Sequence, residues 1–75
     1  MGNLYDIGRD CELLIEDLPK IGLLEGLGLR VGTRVAVRQR YGLGGPVLLR
    51  VEDAFSVAIG KDIASRIVVK KLAAS

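Results

Sequence analysis

Few residues in this 75-residue chain could do acid–base or nucleophilic chemistry. There is no histidine, so no side chain ordinarily changes charge near neutral pH. Cys11 is the single thiol, and the neighbouring sequence offers no base to activate it. Acidic neighbours occur as Glu16-Asp17 and Glu52-Asp53, both at expected strand ends and turns, where carboxylates are normally solvated. The run Gly42-Leu43-Gly44-Gly45-Pro46 lacks the following lysine and helix of a phosphate-cradling loop, and reads as a hairpin instead. A transition-metal ion is generally held by imidazole, thiolate or carboxylate donors, and one thiol among scattered acids makes no spaced ligand set. The expectation is no catalytic residue, no bound cofactor and no metal site.

Charge and apolar surface remain. Net charge is only +2, but its distribution is uneven. From Asp6 to Glu25 there are six acids (Asp6, Asp10, Glu12, Glu16, Asp17, Glu25) against two bases (Arg9, Lys20). From Arg30 to Arg50 there are five arginines (Arg30, Arg34, Arg38, Arg40, Arg50) and no acid. An arginine face suits the carboxylates of a protein partner. The alternative is a small-barrel nucleic-acid-binding module, whose binding would fall on replacing Arg38 or Arg40 and weaken steeply with salt. Only Tyr5, Tyr41 and Phe55 are available to stack bases, and Phe55 is assigned to the core, so nucleic acid is not expected. The same scarcity argues against an aromatic groove for proline-rich peptides.

The elements that must position these groups follow from apolar periodicity. Cys11, Leu13 and Ile15 alternate with Glu12, Leu14 and Glu16 as a half-buried first strand, which places Cys11 on the buried row. Asp17 is placed to cap a helix from about Pro19 or Lys20 to Leu27, with proline in its first turn. Ile21, Leu24 and Leu27 seat that helix, while Leu23, Leu43 and Leu48 are left as candidate exposed leucines. Gly28 stands where a helix ending in the left-handed region needs a residue without Cβ. Gly32 precedes a second strand over Arg34–Tyr41, with Val35 and Val37 inward. Val47, Leu49 and Val51 mark a third strand, and Asp53-Ala54 a tight turn. Phe55, Val57 and Ile59 form the inner row of a fourth strand. Lys61 to Ala64 gives one helical turn, and Arg66 to Lys70 a fifth strand. Leu4 and Ile7 are anchors covering one end.

Five short strands with one short helix after the first predict an all-β fold, a small SH3-like barrel whose closure hides most strand edges. Residues 1–75 make one domain, since the length leaves no room for a second core. Apolar residues make up 49% of the chain, too many for a disordered one. No apolar run approaches a membrane span, and a lone cysteine fits a reducing cytoplasm better than a secreted disulfide framework. The protein is expected to be soluble, and to reach a membrane only by docking.

Leu27-Gly28-Leu29-Arg30-Val31-Gly32, followed by Val35 and Val37, resembles the FeoA family of small cytoplasmic ferrous-iron transport proteins. The later Gly44-Gly45-Pro46 and the segment from Val57 to Val69 extend the resemblance over nearly the whole chain. Val31 stands where the family usually has proline, Asp10 where a glycine is common, and Gly60 where a basic residue is usual. The same SH3-like module occurs at the C-terminus of iron-dependent repressors. The resemblance implies a non-enzymatic accessory role in bacterial iron uptake, with docking on the cytoplasmic G-protein region of the ferrous-iron permease FeoB. It implies transition-metal binding only at the level of the family. The contact residues expected on this reading are Leu23, Leu27, Gly28, Arg34 and Arg38.

Overall fold

The computed structural model describes residues 2–7, 11–42 and 44–72; Asp10 and Leu43, singled out above, lie outside them. The elements are β1 (Gly2–Asn3), β2 (Glu12–Asp17), α1 (Gly22–Gly26), β3 (Arg34–Arg40), β4 (Val47–Val51), β5 (Phe55–Ile59), α2 (Lys61–Ala64) and β6 (Val68–Lys71). All the strands join one antiparallel sheet in the order β1-β6-β2-β3-β4-β5.

Alternation puts the branched residues on one face, as expected. Leu13 and Ile15 of β2, Val35 and Val37 of β3, and Val47, Leu49 and Val51 of β4 are all buried. Register slips between Ile15 and Asp17 and between Val37 and Gln39 mark bulges. Such bulges sharpen twist and let a small sheet curl around its own core. Leu4 fills one end, where its backbone N–H donates to the Ile67 carbonyl at 2.9 Å.

Several boundaries differ from the sequence reading. The first strand begins at Glu12, and Cys11 is half-buried against the core. The last strand starts at Val68 because Ile67 turns into the core at the end of the α2 turn. A sixth strand, β1, is two residues long and pairs with Val68 and Val69. The helix is the largest correction. It spans five residues, with Ile21 at its N-cap and no side-chain cap; Asp17 instead ends β2. A tight turn, in which Ile21 N–H donates to the Pro19 carbonyl at 2.8 Å, carries the chain from strand to helix and uses up the expected first turn.

Closure is also incomplete. Among the described residues no ladder joins β1 to β5, so β5 is bonded on one side only. Its inner row is correspondingly shallow. Ile59 is buried, Val57 is half-buried, and Phe55 is exposed.

Candidate docking face

The corner between α1 and β3 carries the candidate surface, and backbone bonds hold it. A five-residue helix with glycine at both ends has no stability of its own. Leu24 and Leu29 hold it, each about 1% exposed. Burying a leucine contributes about 1.5–3 kcal/mol. After the Leu27 C-cap, Gly28 lies at φ +84°. Gly28 N–H donates to the Glu25 carbonyl and Leu29 N–H to the Leu24 carbonyl, both at 3.0 Å. This is the paired closure of a Schellman motif, and the two leucines form its usual apolar contact.

A second turn follows at once. Thr33 N–H donates to the Arg30 carbonyl, and the Thr33 hydroxyl accepts from the Arg30 N–H, both at 3.0 Å. Gly32 has φ +93° at the third turn position, the mark of a type II turn with Val31 second. Its N–H reaches the Ile15 carbonyl at 2.8 Å, which fastens the corner to β2.

On one side of α1 lies an open groove of about 450 Å³. Leu18, Pro19, Ile21, Leu24 and Leu29 give it apolar walls, and Lys20, Glu25 and Arg30 stand among its lining residues. The other side of the helix carries Leu23 and Leu27, spaced i, i+4 and joined by the Leu27 N–H to Leu23 carbonyl bond at 3.0 Å. Leu23 is 61% exposed. Beside Leu27, Gly28 meets the ring of Phe55: a Cβ built on Gly28 would lie 3.2 Å from Phe55 Cζ. Phe55 itself is 43% exposed. Helix leucines, glycine and aromatic ring form one apolar ledge.

Of the expected contact residues, the fold therefore brings Leu23, Leu27 and Gly28 together. Arg34 belongs to the rim of the β4–β5 turn: its carbonyl accepts from Glu52 N–H at 2.9 Å, and its N–H points to Glu52 Oε1 at 3.4 Å. That turn leads into Phe55. Arg38 stands apart, on the β3 bulge beyond the buried valines. Phe55 was missed because strand alternation assigns it inward, whereas an edge strand has no neighbour to cover its end. Leu48 is half-buried, leaving Leu23 as the exposed leucine of the described candidates.

The arginine arc divides in use. Arg40 donates from Nη2 to the Ile7 carbonyl at 2.6 Å and lies 5.5 Å from the Tyr5 ring centroid, where Lys61 also sits at 5.4 Å. Arg50 donates to the Asp53 carbonyl at 2.9 Å. These two hold backbone together; Arg50 is half-buried, and Arg30, Arg34, Arg38 and Arg40 are exposed. Among the described residues, no three cysteine or acidic side chains gather as a metal site. No helix there is long and apolar enough to cross a membrane.

A model of the FeoA domain matches residues 9–71. The chain belongs to the FeoA family. Solved structures agree with this assignment. The chain is similar to a crystal structure of the iron uptake regulatory protein FeoA, with a TM-score of 0.83, 26% identity, and coverage of 95% of this chain and 96% of that one. A FeoA-like protein from Clostridium acetobutylicum gives a TM-score of 0.81 at 19% identity, covering 99% and 90% of the two chains. The repressor ScaR, solved with bound Zn2+, shares the fold over 96% of this chain and 37% of its own, at 18% identity and a TM-score of 0.84. No curated protein sequence matches significantly. The fold is thus the SH3-like one of FeoA proteins, and the α1 corner with Gly28 and Gly32 lies inside the matched FeoA domain.

Proposed function

We propose that this FeoA-domain protein works in ferrous-iron uptake as a non-enzymatic docking subunit on the cytoplasmic G-protein region of the permease FeoB. Membership of the family implies a role in ferrous-iron transport. The docking reading is supported chiefly by the ledge of Leu23, Leu27, Gly28 and Phe55, which exposes two large apolar side chains beside a corner tied down by backbone bonds. Large apolar groups presented together on a surface are the usual anchors of protein interfaces. Arg34, at the neighbouring turn, and Arg38, farther along β3, supply charge for acidic groups on the partner. Iron is the transported ion in this reading and is not held by the chain. The protein would sit in the cytoplasm and be drawn to the membrane by its partner.

Titration calorimetry with the isolated cytoplasmic region of the permease tests the proposal. Leu23→Glu and Phe55→Ala should each weaken binding by about tenfold or more, the scale of one interface anchor. Absence of binding at low salt, or binding that both variants retain, would overturn it.

A further inference from the structure

The groove beside α1 plays no part in the ledge. Leu24 and Leu29, each about 1% exposed, lie at its base, and half-buried Leu18, Pro19 and Ile21 form its walls. At about 450 Å³ it falls within the ~300–1,000 Å³ of ordinary binding clefts. Turns fix both flanks. Before α1, Ile21 N–H donates to the Pro19 carbonyl at 2.8 Å. After it, Arg30 is bonded twice through its backbone to the buried Thr33.

Three charged residues line this apolar groove, and all are exposed: Lys20 from the turn before α1, Glu25 from α1, and Arg30 from the turn after it. Among the described residues none of the three is joined in an ion pair. Glu25 therefore does not neutralise either cation, although it lines the same groove. Two uncommitted cations stand beside buried leucines.

That combination selects an occupant. Apolar walls call for an apolar body, and the cations for carboxylates beside it. Nucleic acid meets only the second need, since a row of phosphates leaves the leucines uncovered. A small molecule in so open a groove would keep much of its surface in water, whereas such ligands normally bury about 70–90% of theirs. A second copy offers Phe55 beside Glu52 and Asp53. Those acids, however, line a hollow with Arg34 and Arg50, so that turn would bring two arginines toward Lys20 and Arg30. A peptide segment of a different protein meets both needs.

We propose that the groove receives a short segment of the docking partner in which a large apolar side chain is flanked by carboxylates. The inference rests on the docking function proposed above and adds a contact on the opposite side of α1 from Leu23 and Leu27. The partner would then grip the helix from both sides.

Titration calorimetry of the full chain with the isolated cytoplasmic region of the permease, at low and at high salt, tests it. Gly22 lines the groove, its φ is not left-handed, and a Cβ built there meets nothing within 4 Å. Gly22→Leu therefore enters open space. It should raise the dissociation constant about tenfold, while the melting temperature holds or rises, because leucine favours a helix over glycine. Lys20→Glu and Arg30→Glu should each raise the constant about threefold or more at low salt, with the difference shrinking as salt is added. Circular dichroism checks that each variant is folded. Binding that needs Leu23 and Phe55 but ignores all three groove variants would overturn this inference and leave the docking function standing. Absence of any binding would remove both. Self-association of the chain alone, abolished by Gly22→Leu, would make a second copy the occupant and overturn the inference as well.

Discussion

Replacing Gly28 with alanine probes the corner on which the docking face depends. The residue sits at φ +84°, and the left-handed region costs a side-chain-bearing L-residue about 1–2 kcal/mol. The new methyl would also lie 3.2 Å from Phe55 Cζ. Phe55 is 43% exposed, so its ring can swing outward, and this second contribution should stay below about 1 kcal/mol. The total is about 1–3 kcal/mol, which lowers the melting temperature of a domain this size by roughly 5–15 °C. Thermal unfolding followed by circular dichroism measures it. A double-mutant cycle with Phe55→Ala separates the parts: the backbone cost should persist in the Phe55→Ala background, with a coupling of about 0.5 kcal/mol or more assigned to the ring. Gly28→Asn should cost less than Gly28→Ala, because asparagine tolerates left-handed backbone better. A Gly28→Ala variant as stable as the wild type, or a cycle with no coupling, would refute the reasoning.

Other substitutions test neighbouring elements by the same denaturation measurement. Val31→Pro should stabilise by about 0.4–1 kcal/mol, since proline suits the second position of a type II turn and restricts the unfolded chain. Glu52 and Asp53 both have positive φ, 52° and 57°; Asp53→Gly should relieve one of them and stabilise by about 0.5–1 kcal/mol, checked at dilute concentration. Arg40→Ala removes the bond to the Ile7 carbonyl and the stacking on Tyr5, and should cost about 1 kcal/mol. An Arg40 variant of unchanged stability would show that the N-terminal turn is held without this side chain.

How legible the fold was depended on what stabilises each part. Val35-Ala36-Val37 and Val47 through Val51 could be read directly, because alternation is the condition for burying one face of a strand, and their valines are buried. Gly28 was legible too, since its place after the helix suggests the positive φ it has. Gly32 was read only as preceding a strand, and its positive φ comes from a turn that the sequence did not mark. The bounds of α1 were not legible. Five residues carry too little periodicity, and the helix exists because Leu24 and Leu29 are seated in the core. β1 has no sequence signal at all; Gly2 and Asn3 are a strand only because Val68 and Val69 lie beside them.

At the candidate site the same division appears. Leu23, Leu27 and Gly28 were found from helical spacing. Phe55 was lost because alternation specifies a face of a strand without saying whether anything covers it. The arginines show the complementary limit. Their concentration between residues 30 and 50 was plain, but which of them would reach backbone carbonyls, as Arg40 and Arg50 do, depends on turns that only the folded chain assembles.

The most direct test of the docking account is a map of backbone amide shifts while the unlabelled cytoplasmic region of the ferrous-iron permease is titrated into the labelled chain. The account predicts saturable shifts at Leu23, Leu27, Gly28 and Phe55, fading toward β6. Shifts confined to the Arg38 bulge, or none at a saturating amount of the permease region, would contradict it.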